Sequence, residues 1–330
     1  DIVGDDEHAV AQAASEVVRM ANTRTGEGFD AVSAEARKKF WLDRARTAAI
    51  SRHTNAFKVN EDVVIPLPRM GEYTDAIERI NIELSTKNKF KILASLDAYL
   101  AGDLPIVKNE EIGNGDLSKL QILGNRVDDA RIMLARVKSR WQYWMAYLDA
   151  PLTEIFDTVA TMVDANTREL LQTRLKTHPD VRLFDVIQDR TIRFSYKREV
   201  RPELRLIFTG LSFTKILDEL SEVHKKALRS RVFVALHMHA GDGNVHTNIP
   251  VNSDDYEMLH EANEAVARIM QIARDLDGVI SGEHGIGITK LEFLTEDELA
   301  PFRAYKNKID PNGNFNRGKL MVGADLRNAY

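Results

Sequence analysis

The sequence predicts an α+β chain, a small antiparallel sheet interrupted by a large helical insertion. Two stretches predict the sheet. Phe233 to Pro250, FVALHMHAGDGNVHTNIP, is an apolar strand, a turn and a returning strand. Glu61 to Pro68, EDVVIPLP, is a β-branched run stopped by prolines. Elsewhere the strongest periodicity is helical, above all in Val127–Asp149. With Gly241–Asn244 as the loop, Ala240 pairs with Val245 and His239 with His246. Alternation then puts His237, His239, His246 and Asn248 on one face, and Met238, Ala240, Val245 and Thr247 on the other.

Taken in order, His8–Met20 and Ala31–Arg52 are amphipathic helices separated by Gly26 and Gly28. After the Glu61–Pro68 strand, Met70, Tyr73, Ile77, Ile80 and Leu84 mark a helix. Lys87–Gly102 is compatible with strand or helix, and Asp103–Asp116 reads as a loop. Val127–Asp149 carries a stripe including Trp141 and Trp144, read as core because of its helical spacing. Pro151 ends it, and Leu152–Leu175 reads as its helical return. Val181–Tyr196, rich in β-branched and aromatic residues, reads as one or two strands. The nearby cluster Arg193, Lys197, Arg198, Arg201 and Arg205 reads as a solvated face.

Leu211–Ser230 is a helix leading into the hairpin. Beyond the hairpin, Asn252 and Ser253 are expected to cap a helix whose stripe runs Leu259, Val266, Ile269, Ile272, Leu276 and whose C′ residue is Gly278. Thr295 and Glu298 form a capping box, and Pro311–Gly313 a turn. The expected domains are an N-terminal helical segment, 1–35; a cap domain from 36–89 and 201–330; and the insertion, 90–200.

Composition narrows the function. The 330 residues carry a net charge of −5, with a pI near 6.0, which gives no electrostatic case for nucleic acid. No apolar run has the length of a transmembrane helix. Cysteine is absent, excluding disulfides, iron–sulfur ligation and a thiol nucleophile within these residues. Any metal must be held by nitrogen and oxygen. Two hairpin imidazoles with Glu283, from Ser281–Gly285 (SGEHG), make a His₂Glu set suited to zinc, manganese or ferrous iron. His237 is the rival third ligand, and His284 the candidate general base. The residues alone leave open a metal hydrolase, a ferrous oxygenase and a flavin-linked oxidoreductase acting on a hydroxy acid. A non-catalytic domain that docks a partner through the inserted helices is a further alternative.

HAGDGNVH, then SGEHGIG, then DPNGNFNRGK resemble, in order and spacing, the C-terminal half of the vanillyl-alcohol-oxidase-type flavoproteins. The resemblance is to the FAD-linked D-2-hydroxy-acid dehydrogenases: D-lactate dehydrogenases, the glycolate oxidase large subunit and D-2-hydroxyglutarate dehydrogenase. It covers residues 36 to 85 and 205 to 322, while the inserted helices resemble those of large bacterial FAD/iron–sulfur oxidoreductases. It implies an antiparallel cap domain with ferredoxin-like elements over the flavin ring. It implies metal ligation by His239, His246 and Glu283, with zinc or manganese bound, and a base at His284. Substrate contacts fall on Asn248, on Arg44, which follows Trp41 by three positions, and on Lys58, which aligns with a one-residue gap. The family's Asn-Pro-Gly-Lys flavin loop stands here as Asn316-Arg317-Gly318-Lys319, making Asn316 a flavin contact and Arg a departure from the pattern.

The implied partners are FAD, bound mainly by a separate FAD-binding domain of the same polypeptide, a small 2-hydroxy acid and an unspecified electron acceptor. An iron–sulfur cluster belongs only to a further C-terminal part. The implied location is cytoplasmic, or peripheral at the inner membrane through the electron acceptor. With Asp1 rather than Met first and no glycine-rich pyrophosphate loop before residue 36, the chain is expected to be a fragment that is inactive alone and binds FAD weakly.

Overall fold

The computed structural model describes residues 2–23, 28, 31–47, 56–108, 116–287 and 289–316. They fall into two compact units, one ending at Asn55 and one beginning at Ala56. The first holds helices α1 (Glu7–Thr23) and α2 (Ala34–Thr47), close to the two helices expected there.

The second unit is α+β. Strand β1 (Ala56–Val64) leads through a proline-bearing turn into α3 (Met70–Leu100). Seven helices follow: α4 (Lys119–Leu123), α5 (Arg126–Ala146), α6 (Leu152–Met162), α7 (Ala165–Thr177), α8 (Leu183–Gln188), α9 (Arg201–Ile207) and α10 (Thr214–Arg229). The hairpin strands β2 (Ala235–His239) and β3 (Asn244–Asn252) precede α11 (Tyr256–Asp275) and α12 (Glu296–Ile309). β3 lies between β1 and β2 and is antiparallel to both. Strands β1 and β2, joined through α3 and the inserted helices, are thus split by β3, the ferredoxin-like arrangement.

Period-two alternation divides this sheet. Val59, Val63, Val245, Ile249 and Val251 point to one side and bury against Tyr73, Ile77 and Ile80 of α3 and Ala265, Ile269 and Met270 of α11. The opposite side carries Asn60, Asp62, Asn244, His246, Asn248, His237 and His239. A second core lies among the inserted helices, around Trp141 and Trp144, and α3 enters it through Ile92, Leu93, Leu96 and Leu100. The change of core falls between Ile80 and Ile92 on α3, and between Leu220 and Val232 on the way back. The expected insertion limits of 90 and 200 bracket most of the second core; Leu204, Phe208, Phe213, Ile216 and Leu220 also belong to it.

Of the two readings open for Lys87–Gly102 the helix holds: it continues α3 to Leu100, because its apolar residues keep helical spacing into the second core. Several other local expectations are corrected. The return after Pro151 is two helices, since Val163 is extended and Asp164 starts a new one by accepting the Thr167 N–H at 2.8 Å. Val181–Tyr196 contains no strand. The Asp185 carboxylate accepts the Arg182 N–H at 2.8 Å, starting α8, and the β-branched residues fill a helical core instead of a ladder. The cap of α11 is Asp255, which accepts the Met258 N–H at 3.0 Å, in place of Asn252 and Ser253. At its other end Asp277 takes the left-handed C′ position, with φ 57°, and Gly278 follows, donating to the Ala273 carbonyl at 2.8 Å. The Thr295–Glu298 capping box forms as expected. Among the described residues no helix is long and apolar enough to cross a membrane.

Trp141 anchors the second core. It is fully buried, its ring lies 6.4 Å from that of Phe90 and 6.1 Å from that of Phe194, and its Nε1–H donates to Glu199. Trp141→Ala should lower unfolding free energy by about 3–5 kcal/mol in chemical denaturation. A loss below about 1 kcal/mol would contradict this placement.

Candidate metal centre and the polar face of the sheet

The hairpin turn lies one residue earlier than the sequence predicts. Asn244 is claimed by both neighbours, pairing with Val64 in β1 and His239 in β2. Ile65 N–H donates to the Gly243 carbonyl at 2.8 Å, pinning the start of β3. Gly243 has φ 72°, and a Cβ there would stand 2.1 Å from the Ile65 carbonyl oxygen, so only glycine fits. The loop becomes Ala240–Gly243, and the register shifts by two: His237, not His239, lies opposite His246. A shift of two preserves every side-chain face. The rings of His239 and His246 accordingly remain close, with centroids 5.8 Å apart.

Glu283 reaches these imidazoles because of what happens at Asp62. Val64 and Val279 exchange backbone hydrogen bonds, each 2.9 Å, which brings the SGEHG segment to the edge of β1. Asp62, completely buried, then accepts the backbone N–H of Gly282 at 2.8 Å, of Glu283 in a very short bond, and of His284 at 3.3 Å. Three successive N–H groups converging on one carboxylate form an anion nest. The buried ammonium of Lys290 donates to the same carboxylate and, at 2.8 Å, to the Asp62 backbone carbonyl. At Gly282 a Cβ would lie 2.6 Å from Asn244 Oδ1 and 2.9 Å from Val64 Cγ2, so a larger residue would push these side chains aside.

Burial alone would raise the Asp62 pKa. The hydrogen bond from Lys290, the Glu283 N–H, the Lys290 charge and the Gly282 N–H outweigh it, lowering the value from 3.8 to about 2. Asp62 is therefore a fixed anion that ties down the loop.

The result is a convergent donor set. His239, His246 and Glu283 each offer a ligand atom, all within 4.8 Å of one another. His239 Nε2 is 3.6 Å from Glu283 Oε1, and His246 Nε2 is 3.6 Å from Oε2. Asn244 Nδ2 donates to Glu283 Oε1 at 2.7 Å, which orients the carboxylate. Burial lowers the His246 pKa, with Glu283 opposing it, and this favours the neutral imidazole a metal needs. Two imidazoles and a carboxylate, with His239 and Glu283 half exposed, leave open positions for exogenous ligands.

His284 lies beside this set, its ring centroid 5.0 Å from that of His246 and its Nδ1 3.8 Å from Asp62 Oδ1. Asn248 shares the face, two residues beyond His246, opposite Asn60 and Ala235. Lys58 is also on this face, opposite Pro250 and half-buried. His237 is exposed, its ring centroid 6.4 Å from that of His246. Asn316 is exposed, with φ 47°, and residues 317–319 of its loop lie outside the described residues. Arg44 is on α2, in the other compact unit, and its side chain is outside the described residues. Sequence reasoning missed Asp62, Lys290 and Asn244. The one available signal was a charged pair, Glu61–Asp62, directly before the apolar run Val63–Ile65.

Comparison with known proteins places the hairpin and the SGEHG segment within a recognised domain. Residues 209–320 match the family model described as FAD linked oxidases, C-terminal domain. Similar proteins include the mitochondrial cytochrome-type D-lactate dehydrogenase of Arabidopsis thaliana, 34% identical over 110 residues, 32% of this chain and 19% of that protein. The glycolate oxidase subunit GlcD of Escherichia coli K12 is 38% identical over 90 residues, 26% of this chain and 18% of the relative. A D-2-hydroxyglutarate dehydrogenase of Xanthomonas citri is 34% identical over 93 residues, 26% and 20%. The matched stretch spans about a fifth of the length of these relatives. Residues 209–320 are thus similar to the C-terminal domain of FAD-linked oxidases.

The Asp62 pKa makes a testable prediction. Because it is depressed in the folded state, its stabilisation is complete above about pH 4 and is lost as pH falls through about 2. That part of the acid destabilisation is on the order of 2 kcal/mol. The double variant Asp62→Asn/Lys290→Met removes both charges together and should flatten the urea-measured stability profile between pH 2 and 4. An unchanged profile would contradict the assignment.

Proposed function

We propose that this chain is the substrate-side cap region of an FAD-dependent dehydrogenase that oxidises a small D-2-hydroxy acid to the 2-oxo acid. Residues 36–89 and 201–330 supply the cap and residues 90–200 the helical insertion. The observation that carries the reading is the convergence of His239, His246 and Glu283 beside His284, inside a segment matching the FAD-linked oxidase C-terminal domain. The donor chemistry fits a borderline divalent cation, zinc or manganese.

In this reading His239 Nε2, His246 Nε2 and Glu283 hold the cation, which when bound supplies positive charge for the substrate's oxygens. Asn248, on the same face, hydrogen-bonds the substrate, and Lys58 adds charge for its carboxylate. Arg44 is the candidate bidentate partner of that carboxylate. The Asp62 carboxylate, 3.8 Å from His284 Nδ1, orients the imidazole so that Nε2 is free to take the hydroxyl proton. The flavin, held mainly by another domain of the same polypeptide and touched here by Asn316, serves as the hydride acceptor. On this reading the 330 residues alone bind FAD weakly or not at all and do not turn substrate over.

The test has a binding arm and a kinetic arm. Equilibrium dialysis of the chain against zinc or manganese, with elemental analysis, should give about one equivalent of metal bound, and none in His239→Ala. In the flavin-loaded full polypeptide, His284→Ala should lower kcat by about 10²–10⁴-fold, the range for loss of a general base. Failure to take up either metal, or a near-wild-type kcat, would sink the corresponding role. Ester or amide turnover without flavin would favour a metal hydrolase instead.

A further inference from the structure

A cleft of about 480 Å³ opens between the middle of α3, the chain from Ile187 to Ser195, and the segment holding Arg231 and Phe233. It shares no residue with the His239–His246–Glu283 site. Its volume lies within the range of small-molecule sites. Four cationic side chains line it, Lys89, Arg190, Arg193 and Arg231, against the single carboxylate of Glu78.

These four cations converge on one cleft without acidic partners. Several other arginines around α3 and the inserted helices are paired: Arg79 with Asp149, Arg131 with Asp97, Arg136 with Glu203, Arg140 with Glu199. Among the described residues none of the four cleft cations is in an ion pair with a carboxylate. Lys89 is the most telling. Its ammonium donates only to Ser85 Oγ at 2.9 Å and stands 5.5 Å from the centroid of the Phe194 ring. Burial and the charge of Arg231, opposed by Glu199, push its pKa down to about 8. A partly buried cation without an anion carries a desolvation cost, and that cost is offset when an anion arrives. Arg190 adds a second sign. It holds the left-handed position after α8, φ 67°, where glycine or asparagine is usual. Strain of this kind persists where the surrounding structure requires it.

We propose that this cleft is a binding site for a small organic polyanion, a phosphate ester or polycarboxylate, whose clustered oxygens neutralise Lys89, Arg190, Arg193 and Arg231. It is separate from the hydroxy-acid site and is built by the middle of α3, the end of α8 with the chain after it, and the segment before β2. Of the basic cluster read from the sequence as a solvated face, Arg193 lines it. Arginine forks suit planar, doubly hydrogen-bonded oxyanions, and Lys89 supplies a point charge at the cleft wall.

Isothermal titration of the metal-stripped chain with pyrophosphate, and separately with citrate, tests this directly. At least one should bind saturably, one per chain, with Kd below about 1 mM. Lys89→Met should weaken it by about 10–100-fold, the range for losing a charge-assisted hydrogen bond. Replacing a partly buried lysine that has no carboxylate partner with an apolar side chain does not threaten the fold, and the melting temperature of Lys89→Met should equal or exceed that of the wild type. His246→Ala should bind as the wild type does. No saturable heat with either anion, undiminished binding by Lys89→Met, or loss of binding in His246→Ala would each overturn the proposal.

Discussion

The polar face depends on one buried carboxylate. Asp62 lies in the middle of the sheet's edge strand, sealed from solvent, and satisfies three consecutive N–H groups of the SGEHG segment together with the Lys290 ammonium. Without that anion the segment from Gly282 to His284 has no reason to lie across β1, and the N–H groups it presents would be unpaired. With it, Glu283 projects toward two imidazoles that the hairpin has already placed side by side. Two local structures far apart in the chain meet at one carboxylate.

Energetically, this is a device for position more than for stability. Desolvating a carboxylate and an ammonium costs several kcal/mol per ion, and their attraction with good hydrogen bonds offsets that cost without a large surplus. An apolar pair of similar volume would hold the sheet to the loop as well. It would not hold the backbone of Glu283 and His284 in a set orientation, nor give His284 Nδ1 an anion 3.8 Å away. The two close glycine contacts make the same point sterically. Gly243 and Gly282 both sit where a single methyl group would collide with β1 or Asn244, so the three segments approach within backbone distance.

The sequence carried the donor set because period two is a strong signal: His237, His239, His246 and Asn248 share a face under either register. The register itself was not legible. It is set by hydrogen bonds from β1, including Ile65 to Gly243, and a hairpin read alone contains no trace of them. Asp62 and Lys290 escaped for a related reason. They are 228 positions apart, and a charged residue in a strand is ordinarily solvated. Val181–Tyr196 failed in the opposite way: its β-branched residues suggested a ladder, while the Asp185 cap and burial within a helical core decided for helix. Local capping and packing overrode propensity there. At the sheet, alternation and packing agreed.

On the proposed reading the Asp62–Lys290 pair orients the metal ligands without itself touching the metal. Zinc affinity of Asp62→Asn/Lys290→Met, measured by competition with a chromophoric chelator on protein shown by circular dichroism to be folded, addresses it most directly. The account predicts affinity weaker than wild type by about 10–100-fold, the usual effect of losing groups that orient metal ligands. Wild-type affinity in the folded double variant would contradict it.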